Sequence, residues 1–473
     1  MCATTYVAGD YLDSEGIAIG VGYKQYSARA NVEVTASDRL TLGINIAPSY
    51  SIASDPGVEG KDQQMHVAVG MAPVSEDTVG LDVNVGDNGI YTWGNSRSSP
   101  VRTVENSIGD AKIFRTLGTV FAQYRLADGI QLRSSFNLDN ADQNRKAYTP
   151  AWVTRNRTAG GSYSGYRRQT FVNENTLSLD RTFGGIHNLS AVVGTSYNTT
   201  KFDDFAIRVS GGFNSDIITT LNAANINAGS TFTSETKNTL VSFFGRVQYN
   251  LDNKYLISAS LRRDGSSRFG PDTKWGTFPS VSVGWRVSEE DFMQSLDVVS
   301  SLKVRGSWGI SGNNGIGDYS HVAILGFDNY SFGGSLAAGQ VPTNFANSSL
   351  GWEKSETINI GFDLGLLDNR IFTSFDFYTK RNTDLLLNIP IPSAVGFTSA
   401  LTNIGEVLNK GWEVELTTRN LVGAFTWTSS VNFSHNRNEV VQLGPENTPI
   451  LGGSWDIAHN ILMVGQPMYT INV

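Results

Sequence analysis

The segment DGSSRFGPDTKWG, inside residues 254–292, gathers the side chains best suited to holding a ligand. Asp264 and Arg268 could grip a sugar or a carboxylate, and Phe269 and Trp275 could stack on sugar faces. The same residues also suit plainer roles that carry more weight: an ion pair or turn contact for the charged two, loop packing for the aromatic two. All four are kept as ligand-contact candidates. Asp363, Asp376, Glu413 and Glu415 resemble a carboxylate constellation in one dimension, but general acid-base work needs a paired, shielded geometry. His66, His187, His321, His435 and His459 are scattered without ligand spacing. Gly306, Gly309, Gly312 and Gly315 are not a phosphate loop, because no helix follows them. Cys2 is the single cysteine, so neither a disulfide framework nor a cysteine zinc site can form within the chain. The expectation is therefore no catalytic residue, no metal, no cofactor, and no enzyme.

The elements that would carry these residues are strands. In residues 278–287, Pro279, Val281, Val283, Trp285 and Val287 point one way, and Ser280, Ser282, Gly284 and Arg286 the other. A soluble sheet would bury the apolar row against a second layer; a sheet closed in a membrane turns it to lipid and keeps the polar row inside. Ala28, Ala30, Val32 and Val34 alternate with Arg29, Asn31, Glu33 and Thr35, and Ile358, Ile360, Phe362 and Leu364 with Thr357, Asn359, Gly361 and Asp363. Inward carboxylates are costly in a dry core but acceptable on a water-filled wall, which accounts for the acidic row. Trp412, near the outer end of its strand, and Trp427, near the inner end of the next, suit aromatic girdles at the two lipid interfaces. Short turns (SDR, ADG, FGGIH, LDN, LLDNR) alternate with long polar loops over residues 148–168, 201–235 and 312–350. Residues 61–72 suggest a brief helix, and the Gly- and Asn-rich stretch up to residue 102, with NGIYTWG and WGNS, an exposed loop.

Composition agrees with a nearly all-β chain: 49 Gly among 473 residues, 17% charged and 11% aromatic, with little of the helix-favouring Ala, Leu, Glu and Lys. A net charge of -8 and a pI near 5.3 argue against nucleic acid as a partner. No run of 18 apolar residues exists to make a spanning helix, whereas a barrel strand needs only about 10 alternating residues.

Several ordered motifs resemble one family: DGSSRFG, KWGTFPSVSVGW with SEEDF, LKVRGSWGISGNN, LGWEKSETINIGFDLGLLDNR, and NKGWEVELTTRN with VNFSHNRNEV. In that order, and with GDYLDSEGIAIGVGYKQYSARANVEV before them, they look like the barrel of SusC/RagA-like TonB-linked outer-membrane proteins of Bacteroidota. The resemblance implies an all-β, transmembrane antiparallel β-barrel in the cell outer membrane, with short periplasmic turns and long extracellular loops. Residues 1–473 would be one barrel domain fragment holding roughly 14 to 16 of about 22 strands, without its plug or terminal strands. It further implies import of large nutrients, glycans or peptides, as the channel subunit beside a SusD-like surface lipoprotein. Energy would come from the TonB-ExbB-ExbD complex acting on the plug. The rival reading is a surface ligand-binding or adhesin-like β protein without energised transport.

Overall fold

The computed structural model describes residues 2–57, 64–70, 100–154, 158–444, 446–452, 459–468 and 470–472. One antiparallel ladder of 15 strands dominates them. In chain order its strands begin with β1 (Cys2–Glu15), β2 (Gly22–Thr35), β3 (Leu40–Ser54), β4 (Ile108–Ala127) and β5 (Ile130–Thr149). Next come β6 (Gly160–Phe183), β7 (His187–Ser210), β8 (Phe232–Leu251), β9 (Tyr255–Ser266), β10 (Trp275–Arg286) and β11 (Val299–Asn313). A separate hairpin, β12 (Leu325–Phe332) and β13 (Ser335–Pro342), precedes β14 (Glu353–Leu366), β15 (Ile371–Pro390), β16 (Ser399–Leu421) and β17 (Trp427–Leu443). Three short strands, β18 (Ile450–Gly452), β19 (His459–Leu462) and β20 (Thr470–Asn472), pair with one another. Each ladder strand lies beside its sequence neighbour, β11 pairing β14 across the inserted hairpin, and β1 and β17 form the two edges.

Connections alternate as the turn chemistry predicts. Tight turns at 36–39, 128–129, 184–186, 252–254 and 367–370 alternate with longer links such as 55–107, 211–231 and 314–352. Asp252 and Asn253 take φ of 52° and 53° in the LDN turn, the left-handed pair that suits the twist of a two-strand hairpin.

Several expected boundaries move. The loops read at 148–168 and 201–235 are strand at both ends: β5 runs to Thr149, β6 starts at Gly160, β7 continues to Ser210 and β8 starts at Phe232. β6 and β7 are 24 residues each, whereas crossing hydrocarbon takes about 9–11. Beyond that length a strand no longer needs an apolar row, so the period-two signal fades while the backbone ladder continues. The region 312–350 contains the β12–β13 hairpin, turning at Gly333 and Gly334 with φ of 56° and 84°. The helix expected over 61–72 is Gln64–Val69, and a second one, Pro100–Asn106, had no apolar period to announce it. NGIYTWG and WGNS lie outside the described residues. Trp412 is mid-strand in β16, opposite His435, because that strand begins earlier than its alternation suggests; Trp427 does open β17.

The chain divides into two compact units. Residues 1–123, 134–173 and 198–237 make the first, and residues 124–133, 174–197 and 238–473 the second. In the first, Phe121 is buried over Gly43, where a Cβ would lie 2.1 Å from its ring. The second holds an aromatic cluster of Phe269, Phe278, Leu350 and Trp352, and an aliphatic one of Val407, Val440 and Leu443.

Register in the second unit makes the two faces explicit. Gln248, Ser258, Ser282, Ser307 and Asn359 pair successively across β8, β9, β10, β11 and β14. One residue along, Ile257 pairs Val283, Val283 pairs Gly306, Gly306 pairs Ile360, Ile360 pairs Phe377, and Phe377 pairs Trp412. Those apolar side chains are not covered: Ile257 is 49% exposed, Val283 54%, Ile360 58% and Phe377 48%. A contiguous exposed apolar row backed by a polar one is what a lipid-facing sheet requires and what a soluble protein avoids.

Candidate functional site

The polar face of the second unit carries a cavity of ≈ 740 Å³ against β6–β11 and β14. Gln248, Ser258, Ser282, Ser307 and Asn359 form its floor, and Lys303 and Arg305 on β11 bring positive charge to it. Alternation puts these residues on one side of their strands, and the tight ladder holds them level. Arg305 reaches across β14 to Asp376 on β15 with two hydrogen bonds, Nη1 to Oδ1 at 2.5 Å and Nη2 to Oδ2 at 2.6 Å. It also donates to Asp363 Oδ1 at 3.3 Å. Gly361, between the two carboxylates, leaves the passage open: a Cβ there would stand 2.8 Å from Asp376 Oδ1 and 3.1 Å from Arg305 Cζ. Asp363 and Asp376 therefore belong to a charge network on the polar face. What sequence reading missed was its cation; the signal present was Arg305, on the polar row of LKVRGSWG.

The four loop candidates do not converge. Asp264, 7% exposed, receives both bonds from Arg262 Nε at 2.8 Å, and Arg262 also donates to buried Ser242. Arg268 bonds Asp318 at 2.7 Å and the carbonyl of Asn314 at 3.1 Å, tying its loop to the one after β11. Phe269 is 3% exposed and packs on Trp352 with ring centroids 5.2 Å apart. Trp275 shares the side of Val281 and Val283, lies 6.2 Å from the Phe243 ring and has Arg263 over its face at 5.4 Å. Asp264 is held within β9, Arg268 ties two loops together, one ring fills a dry cluster, and one ring sits on the apolar side.

That dry cluster shapes the loop end of β9–β11. Phe278 and Trp352 meet edge to face at 5.2 Å, and Trp352 Nε1 donates to the Lys274 carbonyl at 3.0 Å. Gly312 makes room for the rings, since a Cβ would come within 2.1 Å of Phe278. At the opposite end of the same strands, Glu290 accepts from Tyr255 Oη at 2.6 Å and Trp285 Nε1 at 3.0 Å, with Lys254 Nζ at 3.8 Å. The Tyr255 hydroxyl first, then the Trp285 indole and the Lys254 charge, hold its carboxyl below the usual carboxylate range. This explains the SEEDF motif as the clasp of the β10–β11 connection.

Among the described residues no group of three or more His, Cys, Asp or Glu could hold a metal ion. His187 bonds the Tyr249 hydroxyl at 2.7 Å and His321 the Arg268 carbonyl at 3.2 Å. No helix among the described residues is long and apolar enough to cross a membrane, which says nothing of strands.

Comparison with known proteins fits this two-faced ladder. The family described as TonB dependent receptor-like, beta-barrel matches residues 73–468. A TonB-dependent receptor of Formosa agariphila is 32% identical over 453 residues, covering 94% of this chain and 42% of that protein. The TonB-dependent receptor SusC of Bacteroides thetaiotaomicron is 41% identical over 215 residues, 44% of this chain and 21% of that one. The RagAB peptide transporter has the same fold, with a TM-score of 0.82 at 24% identity over 98% of this chain and 52% of its own. The chain thus spans less than half the length of the curated relatives it matches. Members of this family reside in the outer membrane, and the exposed apolar rows meet its lipid. The chain belongs to the TonB-dependent receptor-like β-barrel family, in its SusC/RagA-like branch.

Proposed function

We propose that this chain forms barrel wall in an outer-membrane importer that takes up large nutrients, glycans or peptides, as the channel subunit beside a SusD-like surface lipoprotein. The observation that carries the reading is the registered pair of rows in β8–β11 and β14–β16, exposed and apolar on one side and polar around a cavity of ≈ 740 Å³ on the other. The hydroxyls and amides of that polar row and the Arg305–Asp376 pair offer hydrogen-bonding partners to a large hydrated cargo. The likeness to SusC and to a peptide transporter supports the same reading. Residues 1–473 act in it as a single barrel portion, the long connections face outside, and the tight turns face the periplasm. Energy reaches the complete protein through TonB. Asp264, Arg268 and Phe269 then affect the cargo through the shape of the mouth, while Trp275 with Phe243 marks the outer lipid interface.

The test is uptake of labelled oligosaccharides and peptides by cells carrying the intact gene, with and without TonB. Uptake that stops without TonB is expected. Equal uptake in both strains rejects energised import, and surface binding without any uptake favours an adhesin-like role.

A further inference from the structure

Within the first unit, β5, β6 and β7 lie side by side and present a second cavity, of ≈ 680 Å³. Arg145 on β5 and Arg208 on β7 both line it. At about 4.8 Å per strand their backbones stand roughly 10 Å apart with β6 between them, within reach of one bound group for two long side chains. The floor is β6 itself, where Gly160, Ser162 and Ser164 alternate onto the same side. A Cβ on Gly160 would meet nothing within 4 Å, so this floor is open rather than packed.

The charge arrangement sets this cavity apart. Two other guanidinium groups of this unit are matched: Arg115 pairs with Asp139 at 2.7 Å and Arg167 with Asp142 at 2.6 Å. Among the described residues Arg145 and Arg208 have no ion-pair or side-chain hydrogen-bond partner, and no carboxylate lines the cavity. This happens on a chain of net charge -8 with 44 acidic residues, where a compensating Asp or Glu would be easy to supply. Two unmatched guanidinium forks lining one cavity suit an oxyanion, because each can bind sulfate or carboxylate with two parallel charge-assisted hydrogen bonds. Ser162, Ser164 and Asn227 add neutral hydrogen-bonding groups around them. Of the apolar members, Tyr148 and Val209 are 2% and 5% exposed, and the polar groups a ligand can reach are hydroxyl, amide and guanidinium. Saccharide hydroxyls find matching hydrogen-bonding partners among those groups.

Resting on the import reading above, we propose that Arg145 and Arg208 bind the anionic substituents of an acidic glycan, a sulfate ester or a uronate carboxylate, and so select acidic over neutral polysaccharide as cargo. Binding to the full-length protein in detergent would be measured by calorimetry with four probes: a sulfated oligosaccharide, a uronate oligosaccharide, a neutral one of the same length, and an oligoglutamate peptide. At least one acidic sugar is expected to bind about tenfold or more tighter than the neutral sugar, and which of the two does so separates sulfate from carboxylate. Arg145→Gln with Arg208→Gln should weaken that sugar by roughly tenfold per arginine and leave the neutral sugar unchanged. Heat-modifiable gel mobility checks that the variant still folds; should it not, the pair Arg145→Lys and Arg208→Lys, with the salt dependence of wild-type binding, decides instead. Equal affinity for acidic and neutral sugars, wild-type affinity in the double variant, or salt-independent binding overturns the proposal. Tighter binding of oligoglutamate than of either acidic sugar overturns the glycan assignment. Any of these with TonB-dependent uptake intact leaves the import reading standing, whereas TonB-independent uptake rejects that reading by itself.

Discussion

Replacing Arg305 tests whether the polar wall is a coupled network or a set of solvated charges. The guanidinium is 29% exposed, Asp376 18% and Asp363 26%, so the three lie between the surface and the buried limit. Breaking a fully buried pair by removing one partner costs about 3–5 kcal/mol, and exposed pairs contribute about 0–1 kcal/mol. The two bonds to Asp376 at 2.5 and 2.6 Å place this pair toward the strong end, but a quarter of its surface remains in water. Arg305→Met should therefore destabilise by about 2–3 kcal/mol, mostly because Asp363 and Asp376 then face each other uncompensated. Neutralising both carboxylates as well, with Asp363→Asn and Asp376→Asn, should bring the triple variant back to within about 1 kcal/mol of wild type. Urea unfolding of the full-length protein in detergent micelles, followed by tryptophan fluorescence and by heat-modifiable mobility, measures both. Equal losses in the single and triple variants would show that the charges do not act as a unit. A loss below about 0.5 kcal/mol for Arg305→Met would show that water already screens them.

Three further outcomes are checked by the same unfolding assay. Leu350, with 0% exposure in the aromatic cluster, should cost about 2–5 kcal/mol as Leu350→Ala, and Trp352→Phe should lose about 1 kcal/mol through its bond to the Lys274 carbonyl. Gly312→Ala should cost about 1–3 kcal/mol, because its Cβ would come within 2.1 Å of Phe278, whereas Gly118→Ala, whose Cβ meets nothing within 4 Å, should change stability by under about 0.5 kcal/mol. The Glu290 clasp makes stability depend on pH in a defined sense. Its carboxyl is held below its unfolded value, so the contribution is complete above the unfolded glutamate range, roughly 4.3, and is lost as pH falls through the lower folded value. The difference between wild type and Glu290→Gln should be constant near neutrality and close in acid; a difference that grew on acidification would refute the assignment.

How far sequence reading reached follows from where lipid imposes a pattern. Across β8–β11 and β14–β16 the hydrocarbon demands an apolar residue at every second position, and Val281, Val283, Ile358 and Ile360 display that demand in one dimension. Past the lipid the demand ends, which is why the outer reaches of β5, β6 and β7 read as polar loop although their backbones stay paired. The site is harder to read for a related reason. Asp264 and Arg268 stand four positions apart and invite a joint role, yet their partners, Arg262 and Asp318, are 2 and 50 residues distant. Arg145 and Arg208 carry no local signal at all, since β6 and two connections separate them in the chain. Alternation reports which face a residue takes, but not which strands bring it company. In an antiparallel meander that company comes from the register of neighbouring strands, and a register is set jointly by turn geometry and by rows of side chains contributed from several strands at once. On the import reading, the polar rows that would meet cargo are the ones least constrained by lipid, so their composition is free to vary with the ligand. On that reading selectivity lies in the part of the sequence that periodicity does not reveal, which makes Arg145 and Arg208 sharper places to test it than the loop motifs that mark the family.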